Sequence, residues 1–574
     1  MTTLPFKQHI ADLAELLKQL GVRNAVICPG SRNAPIIQVF QRDADLHCYS
    51  IVDERSAGYV ALGMAIETGR PVVVITTSGT AVLNLAPAVA EAYNQQVPLI
   101  ILTGDRPPEI PPQFTNQRIN QSNVFGPNAS GFFEFPPDFE NAAHLDKVMH
   151  DAAEVIRQGC IESQGPVHLN LVLHEPLYKK IPEKVMTRPD VPGLRTGEPA
   201  VQRAGFNTSE SALIRDHLVA QKKVLILAGM AKYTAINRKT LEALTSRFQV
   251  ALIAENIANL HGTHTISAPE LVLAGASKEE MQDLTPDLVV AMGGPIVSKR
   301  TRLFVQGLEK TPIVLLEGTP GRALPGIRAQ LAESEEGADL SRTNIIADIP
   351  ENDDSPVKNK YAELWKKLEK QHAGKARSFL KQAPFSNITA MERILEKIPA
   401  NTTVHLGNSG VIRYAQLKPA RTDLRYQSNR GTSGIDGSLS TAVGAAMVSE
   451  ELHVAIVGDL SFVYDSNALW NRNFPPNLKI IVLNDKGGGI FRLLDGPDRM
   501  PFFGEFSVTR HPVTLKHIVK AFGMNILLAN NDYTLDECLD TLFKKGAAAT
   551  VMEVDTSSSE NSGIFKQFFN SIQP

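Results

Sequence analysis

The sequence predicts an α/β protein made of three domains with mainly parallel sheets. Short apolar runs of strand length alternate with helical patterns along the chain, which is typical of parallel sheets covered by helices. A single hydrophobic core stops growing at roughly 250–300 residues, so a chain of 574 residues needs more than one. Two polar stretches rich in proline and charge divide the strand–helix pattern into three blocks.

The composition is that of a globular protein, and it excludes several other classes. Hydrophobic residues make up 43% and charged residues 21%, which rules out disorder, collagen and coiled coil as the main state. The formal net charge of −3 argues against a general binder of nucleic acid or membrane surfaces. Four widely spaced cysteines contain no C-x-x-C pair, so a reducing cytoplasm fits better than a disulfide framework. We find no signal-peptide pattern and no apolar run near the ~20 residues of a membrane span.

Strand patterns and linkers set the expected domain boundaries. The first domain is expected over 1–180, a linker over 181–209, a central α/β domain over 210–348, a second linker over 349–360 and the last domain over 361–574. Predicted strands are 24–28, 72–76, 99–103 and 167–172 in the first block, 223–229, 250–255, 286–294 and 312–318 in the second, and 404–407, 424–429, 453–460, 478–485 and 549–555 in the third.

Two carboxylates follow neighbouring predicted strands in the third block. Asp459 and Asp485 each come directly after an apolar run, and a glycine run occupies 487–489. The carboxyl ends of parallel strands form the edge where open α/β sheets bind ligands. Two carboxylate oxygens, an exposed carbonyl and room for phosphate oxygens match the way Mg²⁺ is usually held. Taken singly, each aspartate is more typical of a helix N-cap, and the combined spacing favours the metal site.

This arrangement resembles the thiamine-diphosphate motif, in which G-D-G is followed at the next strand by N-N. The sequence departs from the motif at Leu460, which replaces the third glycine, and at Asp485, which replaces the second asparagine.

Glu54 lies where a predicted strand, 49–52, meets a helix with apolar residues at helical spacing. By residue type alone it is a first-turn carboxylate stabilised by the helix dipole. In thiamine-diphosphate enzymes, a glutamate at this place hydrogen-bonds the aminopyrimidine ring and drives formation of the reactive carbanion. The resemblance therefore implies that Glu54 is catalytic and binds the cofactor.

Ten strings spread over nearly the whole chain make the resemblance more specific. They are PGSRNAP (29–35), DERSAGYVALGMA (53–65), TTSGTAVLNLAPAVAEA (76–92), LTGDRPPE (102–109), NQRINQ (116–121), GGPIVSKR (293–300), GNSGVIR (407–413), SNRGTSGIDGSLSTAVG (428–444), GDLSFVYDSNAL (458–469) and GGGIF (487–491). Together they resemble the menaquinone-pathway 2-succinyl-5-enolpyruvyl-6-hydroxy-3-cyclohexene-1-carboxylate (SEPHCHC) synthases. Leucine after the G-D pair is also typical of that family, whereas Asp485 remains a departure from the thiamine-diphosphate motif.

The resemblance implies a pyrimidine-binding first domain, a central domain and a diphosphate-binding last domain. It implies thiamine diphosphate with Mg²⁺, or alternatively Mn²⁺, and a homodimer or homotetramer with shared active sites. The implied reaction is decarboxylation of 2-oxoglutarate, with release of CO₂, and 1,4-addition of the resulting succinyl-semialdehyde carbanion to isochorismate. No nucleic-acid partner and no membrane span are expected.

Site residues follow from the matched motifs. The resemblance assigns Asp459, Asp485 and the Gly487 carbonyl to the metal, and Ile435 to the wedge that bends the cofactor. It places Ile490 and Phe491 on the apolar side of the cofactor pocket, and Phe491 and Leu494 against the substrate. Ordinary core packing explains these last apolar residues equally well.

The chemistry of the implied substrates gives a second argument for the basic residues. Both substrates are dicarboxylates, so a chain of net charge −3 must attract them with locally placed cations, and arginine suits bidentate pairing with carboxylates. Any one cation is more typical of a solvated surface, but their joint placement at strand ends favours binding. The expected substrate-binding residues are Ser31, Arg32, Arg106, Asn116, Gln117, Lys299, Arg300, Ser409, Arg413 and Arg430.

Two other functions stay open. One is another thiamine-diphosphate carboligase or decarboxylase, such as an acetolactate-synthase-like enzyme, although the arginine-rich strings favour dianionic substrates over pyruvate. The other is a non-catalytic cofactor-binding sensor on the same fold, since a fold does not fix a function. The presence of Glu54 and of both metal carboxylates disfavours the sensor.

Overall fold

The computed structural model describes residues 7–107, 116–181, 208–231, 235–316, 358–492, 496, 499–544, 546 and 549–574. Within these residues the strands form three sheets with parallel pairing, and helices connect successive strands. This is the predicted α/β class with mainly parallel sheets. No helix of the described ranges combines the length and apolar content needed to cross a membrane.

The first sheet has the strand order β2-β1-β3-β4-β6-β5. Its interior strands are continuous apolar runs, such as Val-Val-Val-Ile-Thr in β3, because helices cover both faces. The elements are α1 (Gln8–Gln19), β1 (Asn24–Ile27), α2 (Ala34–Phe40), β2 (His47–Ser50), α3 (Glu54–Thr68), β3 (Val72–Thr76), α4 (Thr80–Asn84), α5 (Ala86–Gln95), β4 (Leu99–Asp105), β5 (Gly131–Phe135), α6 (Ala142–Ile156) and β6 (Pro166–Val172).

The second sheet has the order β11-β10-β7-β8-β9. Its elements are α7 (Thr208–Val219), β7 (Val224–Ala228), α8 (Ala235–Arg247), β8 (Val250–Ala254), β9 (Thr265–Ile266), α9 (Pro269–Gly275), α10 (Lys278–Leu284), β10 (Leu288–Met292), α11 (Lys299–Gln306) and β11 (Ile313–Leu316).

The third sheet has the order β13-β12-β14-β15-β17-β16, which repeats the order of the first sheet. Its elements are α12 (Lys360–Leu380), α13 (Asn387–Lys397), β12 (Thr402–Leu406), α14 (Gly410–Ala415), β13 (Leu424–Gln427), α15 (Ser438–Met447), β14 (His453–Gly458), α16 (Asp459–Tyr464), β15 (Leu478–Asn484), α17 (Leu515–Ala521), β16 (Asn525–Ala529), α18 (Asp532–Leu542), β17 (Thr550–Asp555) and α19 (Asn561–Ile572).

The chain forms two units, 1–202 with 431–451 and 464–478, and 203–430 with 452–463 and 479–574. In the first unit α3 packs closely on α15, because a side chain at Gly63 would overlap the carbonyl of Thr441 and one at Gly444 would overlap that of Val60. Both linkers lie largely outside the described residues, so the predicted three-domain boundaries stay a prediction.

In the second unit, helices link the hydrophobic cores of the central sheet and the third sheet. Apolar residues of α9 pack with those of α13, α19 and the strands of the third sheet. Trp365 of α12 is fully buried with apolar residues of the central sheet, and its ring lies edge-on to Phe304. Helices α9 and α12 therefore contribute apolar residues to both cores.

A buried histidine in the first sheet gives the fold a pH-dependent stability. His168 of β6 is 1% exposed, its ring lies between Phe125 and Phe132, and its Nε2 is 2.9 Å from the Thr103 hydroxyl. Burial lowers the pKa of His168 to about 3. An unfolded histidine has a pKa near 6.5, so below that pH unfolding takes up a proton. The stability that His168 contributes above pH 6.5 is therefore lost as the pH falls towards 3.

Because of His168, we expect the free energy of unfolding to be about 2 kcal/mol lower at pH 5 than at pH 7.5. The measurement is the thermal unfolding midpoint of the wild type and of His168→Gln between pH 7.5 and pH 5. As the pH falls, the midpoint of the variant should fall less steeply than that of the wild type. His47→Gln, at an exposed position of β2, is the matched control and should leave the pH dependence unchanged. Parallel curves for the wild type and His168→Gln would contradict the assignment.

Candidate active site

Candidate residues in the first unit follow three strands at one edge of the first sheet. Ser31 and Arg32 come after β1, Glu54 after β2 and Arg106 after β4. The strand order reverses between β1 and β3, and open α/β sheets bind ligands at such a switch point. The loops after β1 and β3 touch there, because the Arg32 N–H donates to Thr77 Oγ1 at 3.1 Å.

Arg32 is buried, contacts Leu173 and Glu175 of the same unit, and lies near a second arginine. It is 6% exposed, donates from Nη1 to the Leu173 carbonyl at 2.9 Å and lies 3.4 Å from the Glu175 carboxylate. Burial and the neighbouring Arg106 lower the pKa of Arg32. Among the described residues, the buried Nε of Arg106 has no hydrogen-bond partner. Two close guanidinium groups with an unused donor suit an anionic ligand.

Asn116 and Gln117 are exposed beside the turn that follows β3. The Gln117 carbonyl accepts from the Ser78 hydroxyl at 3.1 Å, and a side chain at Gly79 would come within 2.8 Å of that carbonyl. The nearby Gln121, which is not among the predicted site residues, accepts from the Gly79 N–H at 3.1 Å and donates to the Gly104 carbonyl at 3.2 Å. Gln121 therefore fixes these turns against each other.

Glu54 is the first residue of α3, but it does not cap the helix. Asp53 is the cap, and its side chain accepts from the N–H groups of Arg55 and Ser56. Burial, together with the Asp53 charge, raises the pKa of Glu54. The half-buried Glu54 carboxyl is therefore biased towards its protonated form at the ligand-binding edge, which suits a group that exchanges a proton with a ligand.

Ile435 lies half-buried in a loop of the first unit that is fixed at both ends. At one end, the fully buried Glu91 accepts from the N–H groups of Gly431 at 2.7 Å and Thr432 at 2.6 Å. At the other end, the Tyr59 hydroxyl donates to Asp436 at 2.8 Å. Glu91 and Tyr59 are not among the predicted site residues, although they position this loop.

In the second unit, candidate residues follow four neighbouring strands of the third sheet. Arg430 comes after β13, Ser409 after β12, Asp459 after β14 and Asp485 after β15. The strand order reverses here as well, between β12 and β14. The parallel sheet therefore delivers all four residues to one edge, as the sequence predicts.

Asp459 is 3% exposed and uses both carboxylate oxygens. Oδ1 accepts from the Leu460 N–H at 2.8 Å, and Oδ2 accepts from the Gly487 N–H at 2.8 Å and from His511 Nε2 at 3.0 Å. Burial raises the pKa of Asp459 despite these donors. The bond to Gly487 joins the loops after β14 and β15, so Asp459 does more than a helix cap.

Asp485 lies beside Asp459 and beside the glycine run. Burial and the Asp459 charge raise the pKa of Asp485 to about 7, and Asn387 donates to its Oδ2 at 3.2 Å. A side chain at Gly489 would overlap Asp485 Oδ2, and one at Gly487, whose φ is +155°, would lie 2.7 Å from the Val508 carbonyl. Only glycine leaves this space open.

These residues fit a divalent cation bound to phosphate. Two neighbouring carboxylates shielded from water, the buried Asp459 and the half-buried Asp485, repel each other unless a cation or a proton lies between them. Within the described ranges, no group of three or more His, Cys, Asp or Glu side chains could hold a metal. Mg²⁺ suits this donor set because it commonly takes one or two carboxylates and completes its shell with phosphate oxygens and water.

The basic residues of the second unit have different environments. Arg413 donates to the Ser409 carbonyl at 2.6 Å, and burial together with the nearby Arg302 lowers its pKa. Arg430 donates to Asn408 Oδ1 at 2.9 Å. Arg300 lies 3.1 Å from Glu270 and stacks on the ring of Phe569, whereas Lys299 is exposed.

Glu255 sets the position of the Lys299–Arg300 pair. It is buried after β8 and accepts from the N–H groups of Val297 at 2.6 Å and Ser298 at 2.7 Å. Burial raises the pKa of Glu255 to about 7. Sequence reasoning missed this residue, because an acid at a strand end shows nothing about the backbone that it binds.

The apolar candidates beyond the glycine run are not core residues of the described unit. Ile490 is half-buried and Phe491 is 39% exposed. Leu494 lies outside the described residues.

Comparison with known proteins identifies the family. Residues 9–124 match the thiamine pyrophosphate enzyme N-terminal TPP binding domain, and residues 406–554 match the C-terminal TPP binding domain. The chain is 38% identical to the SEPHCHC synthase of Desulfotalea psychrophila, over 90% of this chain and 93% of that protein. It is 33% identical to the synthase of Cytophaga hutchinsonii over 99% of both chains, and 33% identical to that of Flavobacterium johnsoniae over 98% of both.

The chain belongs to the SEPHCHC synthase family. This confirms the resemblance that the sequence strings indicate, and it makes the protein a thiamine-diphosphate-dependent enzyme. Glu54 falls within the matched N-terminal domain, and Asp459 and Asp485 fall within the matched C-terminal domain.

Gly489→Ala tests whether the edge beside Asp485 binds a metal in this SEPHCHC synthase family member. The new methyl group would push the Asp485 carboxylate aside, because that side-chain end yields more easily than backbone. We expect the Mg²⁺ dissociation constant, measured by calorimetry with thiamine diphosphate present, to rise by about tenfold or more. Gly374→Ala, at an open position in α12, should bind Mg²⁺ like the wild type. Unchanged Mg²⁺ affinity in Gly489→Ala would remove Asp485 from the metal site.

Proposed function

We propose that this protein is a SEPHCHC synthase that decarboxylates 2-oxoglutarate and adds the remaining four-carbon unit to isochorismate, with release of CO₂. The observation that carries the proposal is the placement of Glu54, Asp459 and Asp485 at strand ends in a chain of this family. We further propose a cytoplasmic location, because all four cysteines are free thiols.

The cofactor-binding roles follow from the donor groups. Asp459, Asp485 and the Gly487 carbonyl hold Mg²⁺ against the diphosphate. Glu54 contacts the aminopyrimidine ring and Ile435 supports the bend of the cofactor, while Ile490 and Phe491 line its apolar side. When bound, thiamine diphosphate supplies the nucleophilic carbon that attacks the 2-oxoacid and accepts electrons as CO₂ leaves.

Glu54 exchanges a proton with the aminopyrimidine ring of the cofactor. Burial and the Asp53 charge raise the pKa of Glu54, which favours exchange of a proton between this carboxyl and a ring nitrogen. An amide at this position keeps the shape and loses that exchange. Glu54 is therefore the residue whose conservative replacement separates cofactor binding from turnover.

The basic residues bind the two dicarboxylates. Arg32 and Arg106 lie close enough to repel each other, and so do Arg413 and Arg302, so a bound carboxylate relieves like-charge repulsion in each pair. Ser31, Asn116, Gln117 and Ser409 add neutral hydrogen-bonding groups, and Lys299, Arg300 and Arg430 add further positive charge. Phe491 and Leu494 complete the apolar part of the substrate site.

The reaction is tested by mass spectrometry of the product formed from 2-oxoglutarate and isochorismate with thiamine diphosphate and Mg²⁺. Glu54→Gln should bind the cofactor normally but lose about 100-fold or more in kcat, because an amide cannot exchange the proton. Glu67→Gln, in the same helix, is the matched control and should keep wild-type kcat.

The other outcomes separate the alternatives. Absence of CO₂ release from 2-oxoglutarate would favour the sensor, and product formation without isochorismate would favour another carboligase. Wild-type kcat in Glu54→Gln would remove this residue from catalysis.

We also propose that the protein forms a homodimer, or a homotetramer that contains such dimers. Each active site then combines Glu54 of one chain with Asp459 of its partner. Co-refolding Glu54→Gln chains with Asp459→Ala chains then gives mixed dimers with one intact site and one doubly altered site. Random pairing makes half of the dimers mixed, so activity should return to roughly a quarter of wild type. If mixed dimers form but remain inactive, each site uses residues of a single chain.

A further inference from the structure

The segment 499–513 is tied to the glycine run at two places. The Gly488 N–H donates to the Val508 carbonyl, and His511 Nε2 lies 3.0 Å from Asp459 Oδ2. Between 499 and Val508, the segment carries exposed Phe502 and Phe506, whose rings pack edge-to-face at 6.2 Å. The segment is therefore anchored to the carboxylate to which the proposed function assigns the metal.

The hydrogen bonds of His511 define which nitrogen carries its proton. The Val513 N–H donates to His511 Nδ1 at 3.3 Å, so Nδ1 is an acceptor. In the neutral ring the other nitrogen is then the donor. His511 therefore donates from Nε2 to Asp459 Oδ2.

The lone pairs of Asp459 are nearly all used. A carboxylate offers about four acceptor positions, two on each oxygen. Oδ2 accepts from the Gly487 N–H and from His511, which fills it, and Oδ1 accepts from the Leu460 N–H. One acceptor position remains, on Oδ1. The bonds thus leave Asp459 able to take a cation on one oxygen only.

We propose that His511 is a positioning residue for the metal: it fixes Asp459 so that Oδ1 alone meets Mg²⁺, and it couples metal binding to the order of segment 499–513. The inference rests on the proposed metal role of Asp459. A metal held on Oδ1 stops the carboxylate from rotating, and the His511 bond on Oδ2 then persists. Metal binding consequently stabilises the segment that His511 anchors.

The test compares His511→Ala, which removes the donor, with His511→Gln, which keeps an N–H donor on a side chain of similar reach. His517→Ala, at an exposed position in α17, is the matched control. The first readout is the Mg²⁺ dissociation constant by calorimetry with saturating thiamine diphosphate. The second is hydrogen exchange of segment 499–513 with and without Mg²⁺ and thiamine diphosphate.

We expect His511→Ala to raise the Mg²⁺ dissociation constant by about 10–100-fold, which is typical for loss of a hydrogen bond to a metal ligand. His511→Gln should stay within about threefold of the wild type, and His517→Ala should match it. Mg²⁺ with thiamine diphosphate should slow hydrogen exchange of the segment in the wild type and in His511→Gln, but not in His511→Ala.

The outcomes distinguish this inference from the proposed function. If Asp459→Ala binds Mg²⁺ as well as the wild type, the metal site itself is wrong. If Asp459→Ala loses Mg²⁺ binding while His511→Ala keeps it, the role of His511 is overturned. Equal losses in His511→Ala and His511→Gln, with lowered thermal midpoints in both, would make His511 a packing residue and also overturn the inference.

Discussion

Two carboxyl groups held side by side at neighbouring strand ends are the constraint on which the candidate site depends. Asp459 and Asp485 follow the apolar strands β14 and β15, and Asp459 is buried while Asp485 is half-buried. Water would normally stabilise such charges, and burial removes it. The protein offers partial compensation through backbone N–H groups, Asn387 and His511. The pKa of Asp485 still rises to about 7, so the edge remains short of positive charge until a cation arrives.

The same strand order places candidate residues at the edges of two different sheets. The first and third sheets both run 2-1-3-4-6-5 when their strands are counted along the chain. In each, the candidates follow strands on both sides of the point where the order reverses. One topology, used twice, thus places Glu54 at a strand end in the first unit and Asp459 with Asp485 at strand ends in the second. The central sheet has a different order and contributes the Lys299–Arg300 pair.

Strands with continuous apolar runs were predictable, whereas three of the edge strands were missed. All the strands expected in the interior of the sheets form within a few residues of their predicted bounds. The strand expected over 49–52 forms earlier, at His47–Ser50. Sequence reasoning missed β5, β9 and β16, each of which lies at a sheet edge. In β16 only Ala529 is buried and the other residues are exposed or half-buried, because an edge strand with one open side needs no continuous apolar run.

Motif reasoning selected candidate residues at strand ends and missed the residues that fix the loops around them. Glu54, Asp459 and Asp485 stand out because they directly follow strands. Glu91 does not, because it lies within the helix α5 and its partner Gly431 is 340 residues away along the chain. The packing of α15 on α3 is equally invisible in a local pattern, since it depends on Gly63 and Gly444 meeting carbonyls of the other helix.

Buried acids that bind backbone N–H groups explain how a chain of net charge −3 can present cations to an anionic substrate. Glu91 binds the two N–H groups that lead into the Ile435 loop, and Glu255 binds the two that lead into Lys299 and Arg300. Each of these acids fixes the backbone of a loop through its carboxylate oxygens, so the side chains of that loop take the positions that this backbone gives them. Asp459 uses the same device and differs in one respect, because a single acceptor position on Oδ1 stays open. The backbone bonds that fix the loops therefore also decide where charge remains available to a ligand.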